Sequence, residues 1–203
     1  MRNGLGMIGA VFACATLLAG CTSISSNYSG EITETKSTRI FVCHGFDCSY
    51  KTKYTVTPED LSRFAEIMSS GAESAEAERK AIVAANMYYE ERAAQAIGVR
   101  DKAKSHIGQS RERGQMDCID ESTNTRSMLL FLEENGWLKH HKTQWNVSRG
   151  VLIDGRYFHS TAVIKENANG KKWAVDSWFE PTGVAPDIVP LSYWKTRGIF
   201  GQR

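Results

Sequence analysis

Apolar residues recur at helical spacing in the first two thirds of the chain and at strand spacing afterwards. Thr57-Pro58-Glu59-Asp60 supplies a cap, a proline suited to a first helical position and two early acids, and Leu61, Phe64, Ile67 and Met68 follow on one face. This predicts a helix to about Ser70, stopped by Gly71. From Glu73 to Ile97, Ile82, Ala85, Tyr89, Ala93 and Ala96 form a stripe on a charged helix ending at Gly98, with room for one break and an outer face that reads as solvated. A third helix is expected from about Asp117 to Glu134, closed by Asn135-Gly136. Then the texture changes. Val147 to Ile153, Tyr157 to Ile164 and Lys172 to Trp178 are β-branched and aromatic runs, separated by Asp154-Gly155 and by Asn167-Ala168-Asn169-Gly170. Helices followed by an antiparallel meander predict an α+β domain.

The N-terminus belongs to a different class. Arg2 precedes an apolar, small-residue run from Leu5 to Gly20, too short and glycine-rich for a membrane span but suited to a secretory leader. Its end, Leu18-Ala19-Gly20-Cys21, resembles the bacterial lipobox, which implies acylation of Cys21, cleavage before it and membrane attachment through lipid. By the same resemblance, Thr22 implies sorting to the outer membrane, facing the periplasm. The expected organisation is a signal peptide at 1–20, a Ser/Thr/Asn/Gly-rich tether at 21–37 and one domain at 38–203. Removing the leader leaves 24 basic against 23 acidic residues. That near-neutrality argues against a nucleic-acid partner.

Of the 5 cysteines, Cys43, Cys48 and Cys118 remain once Cys14 leaves and Cys21 is lipidated. Cys43 and Cys48 are five apart around a glycine, and an oxidising compartment favours a disulfide between them. The rival reading takes Cys43, His44 and Cys48 as metal ligands, but a structural zinc site needs a fourth ligand. The expectation is therefore no metal and no cofactor. Cys118 is left as the free thiol.

Cys118 opens the third helix, with Thr125 and Leu129 within 20° of it around the axis, so the thiol heads a buried stripe. Unpaired N–H groups at a helix start lower a thiol pKa and can hold an oxyanion, while Asp117, Asp120 and Glu121 oppose a thiolate and call for a cation. The run Ser122-Thr123-Asn124-Thr125 is a poor helix former and demands hydrogen-bond partners. The cation is sought on the meander. If Lys165 to Gly170 form the loop, His159 faces Asp176 across two strands, whereas a shorter loop slides them apart. His159 then serves as base and imidazolium toward Cys118. The plainer alternative is a buried apolar-type cysteine beside a packed strand histidine.

A Cys at a helix start, a His on a strand 41 residues on and an Asp 17 further on the next strand resemble the transglutaminase-like cysteine peptidase superfamily, within the papain-like class. Gly114-Gln115-Met116-Asp117-Cys118-Ile119-Asp120-Glu121 is similar to its Gly-x-Cys-x-Asp/Glu signature, with Gly114 two residues further out. Asp176-Ser177-Trp178 stands where its Asp-x-Trp segment would be. The resemblance spans Arg113 to Trp178. It implies a papain/transglutaminase-like core with nucleophile Cys118, base His159 and orienting Asp176, and an oxyanion hole built from the Cys118 N–H with Gln115 or Gln109. It also implies a thiol hydrolase or acyltransferase acting on a peptide or protein amide. The alternative is the same fold used as a non-catalytic surface or assembly lipoprotein, with Trp137, Trp145, Trp178, Tyr193 and Trp194 as anchors.

Overall fold

The computed structural model describes residues 39–105, 107–150 and 158–197. Cys21, the leader, the tether and the Asp154-Gly155 turn lie outside the described residues. Two strands come first, β1 (Arg39–His44) and β2 (Tyr50–Thr55), followed by α1 (Pro58–Ser69) and α2 (Ala75–Ile97). After a short 3-10 turn (Ile107–Gln109) come α3 (Cys118–Glu134), β3 (His141–Arg149), β4 (His159–Glu166), β5 (Lys172–Asp176), β6 (Asp187–Pro190) and the short α4 (Leu191–Thr196). The architecture is α+β, with two antiparallel sheets: the β1-β2 hairpin and a meander in the order β3-β4-β5-β6.

The helix boundaries follow from caps. Thr57 accepts from Asp60 N, and the Asp60 carboxylate returns to Thr57 N, a reciprocal capping box. Ser74 caps α2, and Gly98, left-handed at φ 83°, ends it. α2 runs through unbroken, and its buried stripe ends at Ile97 while Ala96 is exposed. Its polar side is not all solvated: the Glu78 carboxylate is buried and accepts the N–H groups of Lys139, His140 and His141, fixing the start of β3. The same carboxylate lies 2.9 Å from His141 Nδ1, so His141 is tied to α2.

α3 is the centre of the fold. Thirteen of its seventeen residues are buried, so its buried surface is far wider than one stripe. Met128, Leu129, Phe131 and Leu132 join Phe64, Ile82, Tyr89, Ile40, Ala162 and Ile164 in one core between the hairpin, α1–α2 and the meander. At about 25 cal/mol per Å² of apolar area removed from water, this core is the main favourable contribution to folding.

Three features depart from the sequence reading. The β1-β2 hairpin, which carries no strand assignment there, follows an alternation in which Ile40 and Val42 are buried while Arg39 and Phe41 are exposed. β3 begins at His141, six residues earlier than expected. The β4-β5 register pairs Ala162 with Val175 and Lys165 with Lys172, so Asp176 falls opposite Thr161 and the expected His159–Asp176 facing pair is displaced by two. Because side chains alternate with period 2, a slip of two keeps both residues on one face.

Candidate functional site

Asp117 is the cap that places Cys118 at the first helical position. Its extended backbone (φ −87°, ψ −179°) lets Oδ1 accept from Ile119 N and Asp120 N, and the Asp120 carboxylate returns to Asp117 N. The Cys43–Cys48 disulfide closes a loop docked on this cap. Phe46 N–H and Cys48 N–H donate to Asp120 at 2.8 and 2.7 Å, and Asp47 N–H donates to Asp117. Gly45, Phe46, Asp47 and Cys48 all have positive φ, from 50° to 86°. Three non-glycine residues in that region cost about 1–2 kcal/mol each, offset by the disulfide and the three bonds to carboxylates. Asp117 and Asp120 thus organise a loop beside the thiol. His44 is held on both nitrogens, accepting from Gly114 N–H at Nδ1 and lying 2.8 Å from Thr52 Oγ1 through Nε2. Burial and then Arg113 lower its pKa to about 4.

The polar run in α3 finds its partners. Ser122 Oγ donates to Ser160 Oγ at 3.0 Å, Thr125 Oγ1 is 3.3 Å from Ser177 Oγ, and Asn124 brackets Cys43, accepting its N–H at 2.7 Å and donating to its carbonyl at 2.8 Å. These contacts hold α3 against β1, β4 and the end of β5. Glu121, buried, accepts from Ser177 Oγ at 2.7 Å, and its pKa is raised by burial first and then by Glu90 and nearby Asp101. Asp101 in turn accepts the Met116 N–H, fixing the approach to Cys118.

His159 and Asp176 are joined. Nε2 of His159 lies 2.7 Å from Asp176 Oδ2 with both side chains buried, so the imidazole keeps its other nitrogen, Nδ1, which has no hydrogen-bond partner among the described residues. Trp178, Phe179 and Trp194 enclose the ring at centroid distances of 5.0, 5.2 and 5.5 Å. Trp194 adds a contact that the sequence reading does not contain: its indole Nε1–H donates to the same Asp176 Oδ2 at 2.7 Å.

Cys118 is buried at the α3 start, against β4. The backbone N–H of Ser160, next to His159, is among the groups favouring negative charge on its sulfur. Among the described residues no hydrogen bond joins Cys118 to His159. Burial first, and the Asp117 charge after it, push the thiol up to about 12. This reverses the lowered pKa expected from the helix start: the positive end of the helix acts on the thiolate, but removal from water and the adjacent carboxylate outweigh it. The oxyanion candidates Gln115 and Gln109 are bonded to each other. Gln115 Nε2 donates to Arg100 O, and its Oε1 accepts from Gln109 Nε2, so the two amides serve each other and a backbone carbonyl.

The tryptophans and Tyr193 divide. Trp194 is fully buried, Trp137 and Trp178 are half-buried, and Trp145 and Tyr193 are exposed, Trp145 with the Arg126 guanidinium 4.3 Å from its ring. No described helix is long and apolar enough to cross a membrane. Comparison with protein families, curated proteins and solved structures finds no match for this chain.

Proposed function

We propose that the chain is a thiol hydrolase or acyltransferase that attacks amide bonds through Cys118, with His159 as base and Asp176 as its orienting acid. The carrying observation is the buried 2.7 Å bond between His159 Nε2 and Asp176, which leaves Nδ1 without a partner among the described residues, next to the strand residue whose N–H acts on the Cys118 sulfur. In this reading the resting nucleophile is a neutral thiol. Nδ1 removes the proton as sulfur attacks the acyl carbon, the Cys118 N–H faces the developing oxyanion, and His159 returns the proton to the leaving amine. A thioester remains, resolved by water in hydrolysis or by a second amine in transfer. The lipobox resemblance adds a lipid anchor at Cys21 and an envelope location facing the periplasm, with membrane contact through lipid. The papain/transglutaminase-like core belongs to the same proposal.

A non-catalytic use of the fold is favoured by one observation: burial and Asp117 hold the thiol up to about 12, with no hydrogen bond to His159. Incubation of the folded protein with p-nitrophenyl acetate separates the two. The catalytic reading expects an acetyl thioester on Cys118 by mass spectrometry, cleared by hydroxylamine and lost in His159→Ala. An unmodified Cys118 supports the binding role.

A further inference from the structure

We propose that Trp194 is a positioning residue, whose indole N–H holds the Asp176 carboxylate so that His159 presents Nδ1 toward the start of α3. The inference rests on the catalytic reading above and extends it to a residue outside the superfamily pattern. Asp176 Oδ2 accepts two donors, His159 Nε2–H and Trp194 Nε1–H, each at 2.7 Å. Two donors on one oxygen fix the rotation of the carboxylate, which a single bond leaves free about χ2. The indole ring also walls the imidazole at 5.5 Å.

α4 is too short to place Trp194 by itself, and the tertiary structure does so. Arg149 donates to the carbonyls of Trp194 and Arg197, and its guanidinium carbon lies 4.3 Å from the indole centroid. Arg149 is the cross-strand partner of His159 in the β3-β4 register. A closed circuit results: strand pairing joins Arg149 to His159, the carboxylate joins His159 to Trp194, and Arg149 joins Trp194 back to the strand. The ordinary explanation of a buried tryptophan is that its N–H takes any nearby acceptor. Here that acceptor is the oxygen that already orients the imidazole, and changes on one donor are felt by the other.

Removing one donor concentrates charge on Oδ2 and strengthens the remaining bond to His159. The test is proton NMR of the His159 Hε2 resonance in the folded chain, with Trp194→Phe and with the Trp194 indole replaced by the isosteric benzothiophene, which keeps the ring shape and loses the N–H. The expected result is a downfield shift of Hε2 in the benzothiophene protein, together with a several-fold change in the rate at which iodoacetamide labels Cys118. Trp194→Phe should show the same direction where it folds. An Hε2 resonance and labelling rate both unchanged in the benzothiophene protein overturn the proposal. If that happens while His159→Ala still slows Cys118 labelling, the catalytic reading survives without Trp194. A shifted Hε2 with labelling indifferent to His159 leaves the wiring of the pair intact and removes the catalytic reading beneath it.

Discussion

His159 and Asp176 meet diagonally across β4 and β5. Thr161 stands opposite Asp176 in the register, and the His159 imidazole reaches the carboxylate two positions along the same face to close a 2.7 Å bond. Diagonal neighbours on one face lie about 7–8 Å apart at the backbone, within reach of an imidazole and a carboxylate together. The pair therefore does not require facing positions, only matching parity.

Asn124 ties α3 to β1 through both backbone groups of Cys43. Asn124→Ala leaves a buried N–H and a buried C=O without their partner, at about 1–3 kcal/mol each. Urea denaturation should show a loss of about 2–6 kcal/mol with unchanged m-value. A loss below about 0.5 kcal/mol would show that water replaces the amide.

The Cys43–Cys48 disulfide should protect both residues from alkylation in the unfolded, unreduced chain, where Cys118 alone of these three reacts. The double variant Cys43→Ala, Cys48→Ala should lose about 2 kcal/mol, the loop-closure entropy of so short a loop. Hydrogen exchange in that variant should rise at the backbone amides of positions 46 and 48, whose N–H groups Asp120 accepts in the native chain. Protection at those two amides equal to that of the native chain would show that Asp120 holds the loop without the disulfide.

Stability should fall as pH rises from about 6.5 to 8. Burial raises Glu90 to about 8 and Asp101 to about 6, and burial together with Glu90 and Asp101 raises Glu121 well above its ordinary value. Raised carboxyl values mean that the native state binds more protons than the unfolded chain through this window, so unfolding free energy declines with pH. His44 acts oppositely, its lowered value of about 4 adding stability between pH 4 and 6.5, and its contribution is constant above that range. Thermal melts from pH 6.5 to 8 should show a decreasing Tm, flattened in Glu121→Gln. A Tm that stays level across that window in the native chain would place these carboxyls in contact with water.

The sequence shows the three long helices to within one or two residues because their signals are local: Thr57 and Asp117 cap, Gly98 stops, and apolar spacing marks the buried faces. The Ser122–Thr125 run announces its need for partners, but their identities, Ser160, Ser177 and Cys43, depend on tertiary placement. The β4-β5 register is not legible because only the placement of the turn sets it: Lys165 stands opposite Lys172 instead of Ile164 opposite Lys171, so the turn is centred one residue later and every pair moves by two. Trp194 carries no local signal at all: its role arises from α4 folding back on the sheet. The thiol's direction also depends on tertiary burial, which no count of neighbouring charges in the sequence contains.

The rate of Cys118 carboxamidomethylation by iodoacetamide at pH 7, in folded wild type and in His159→Ala, bears most directly on the central claim. With the thiol held up to about 12, a negligible thiolate fraction exists at neutral pH, and modification without a base should be very slow. If His159 Nδ1 takes the thiol proton, the wild type reacts about 10²–10⁴ times faster than His159→Ala, the usual contribution of a positioned base. Asp176→Asn should fall between them, since it loosens the imidazole without deleting it. Equal rates in wild type and His159→Ala, or reaction only once the chain is unfolded, would contradict the account and leave Cys118 a core residue.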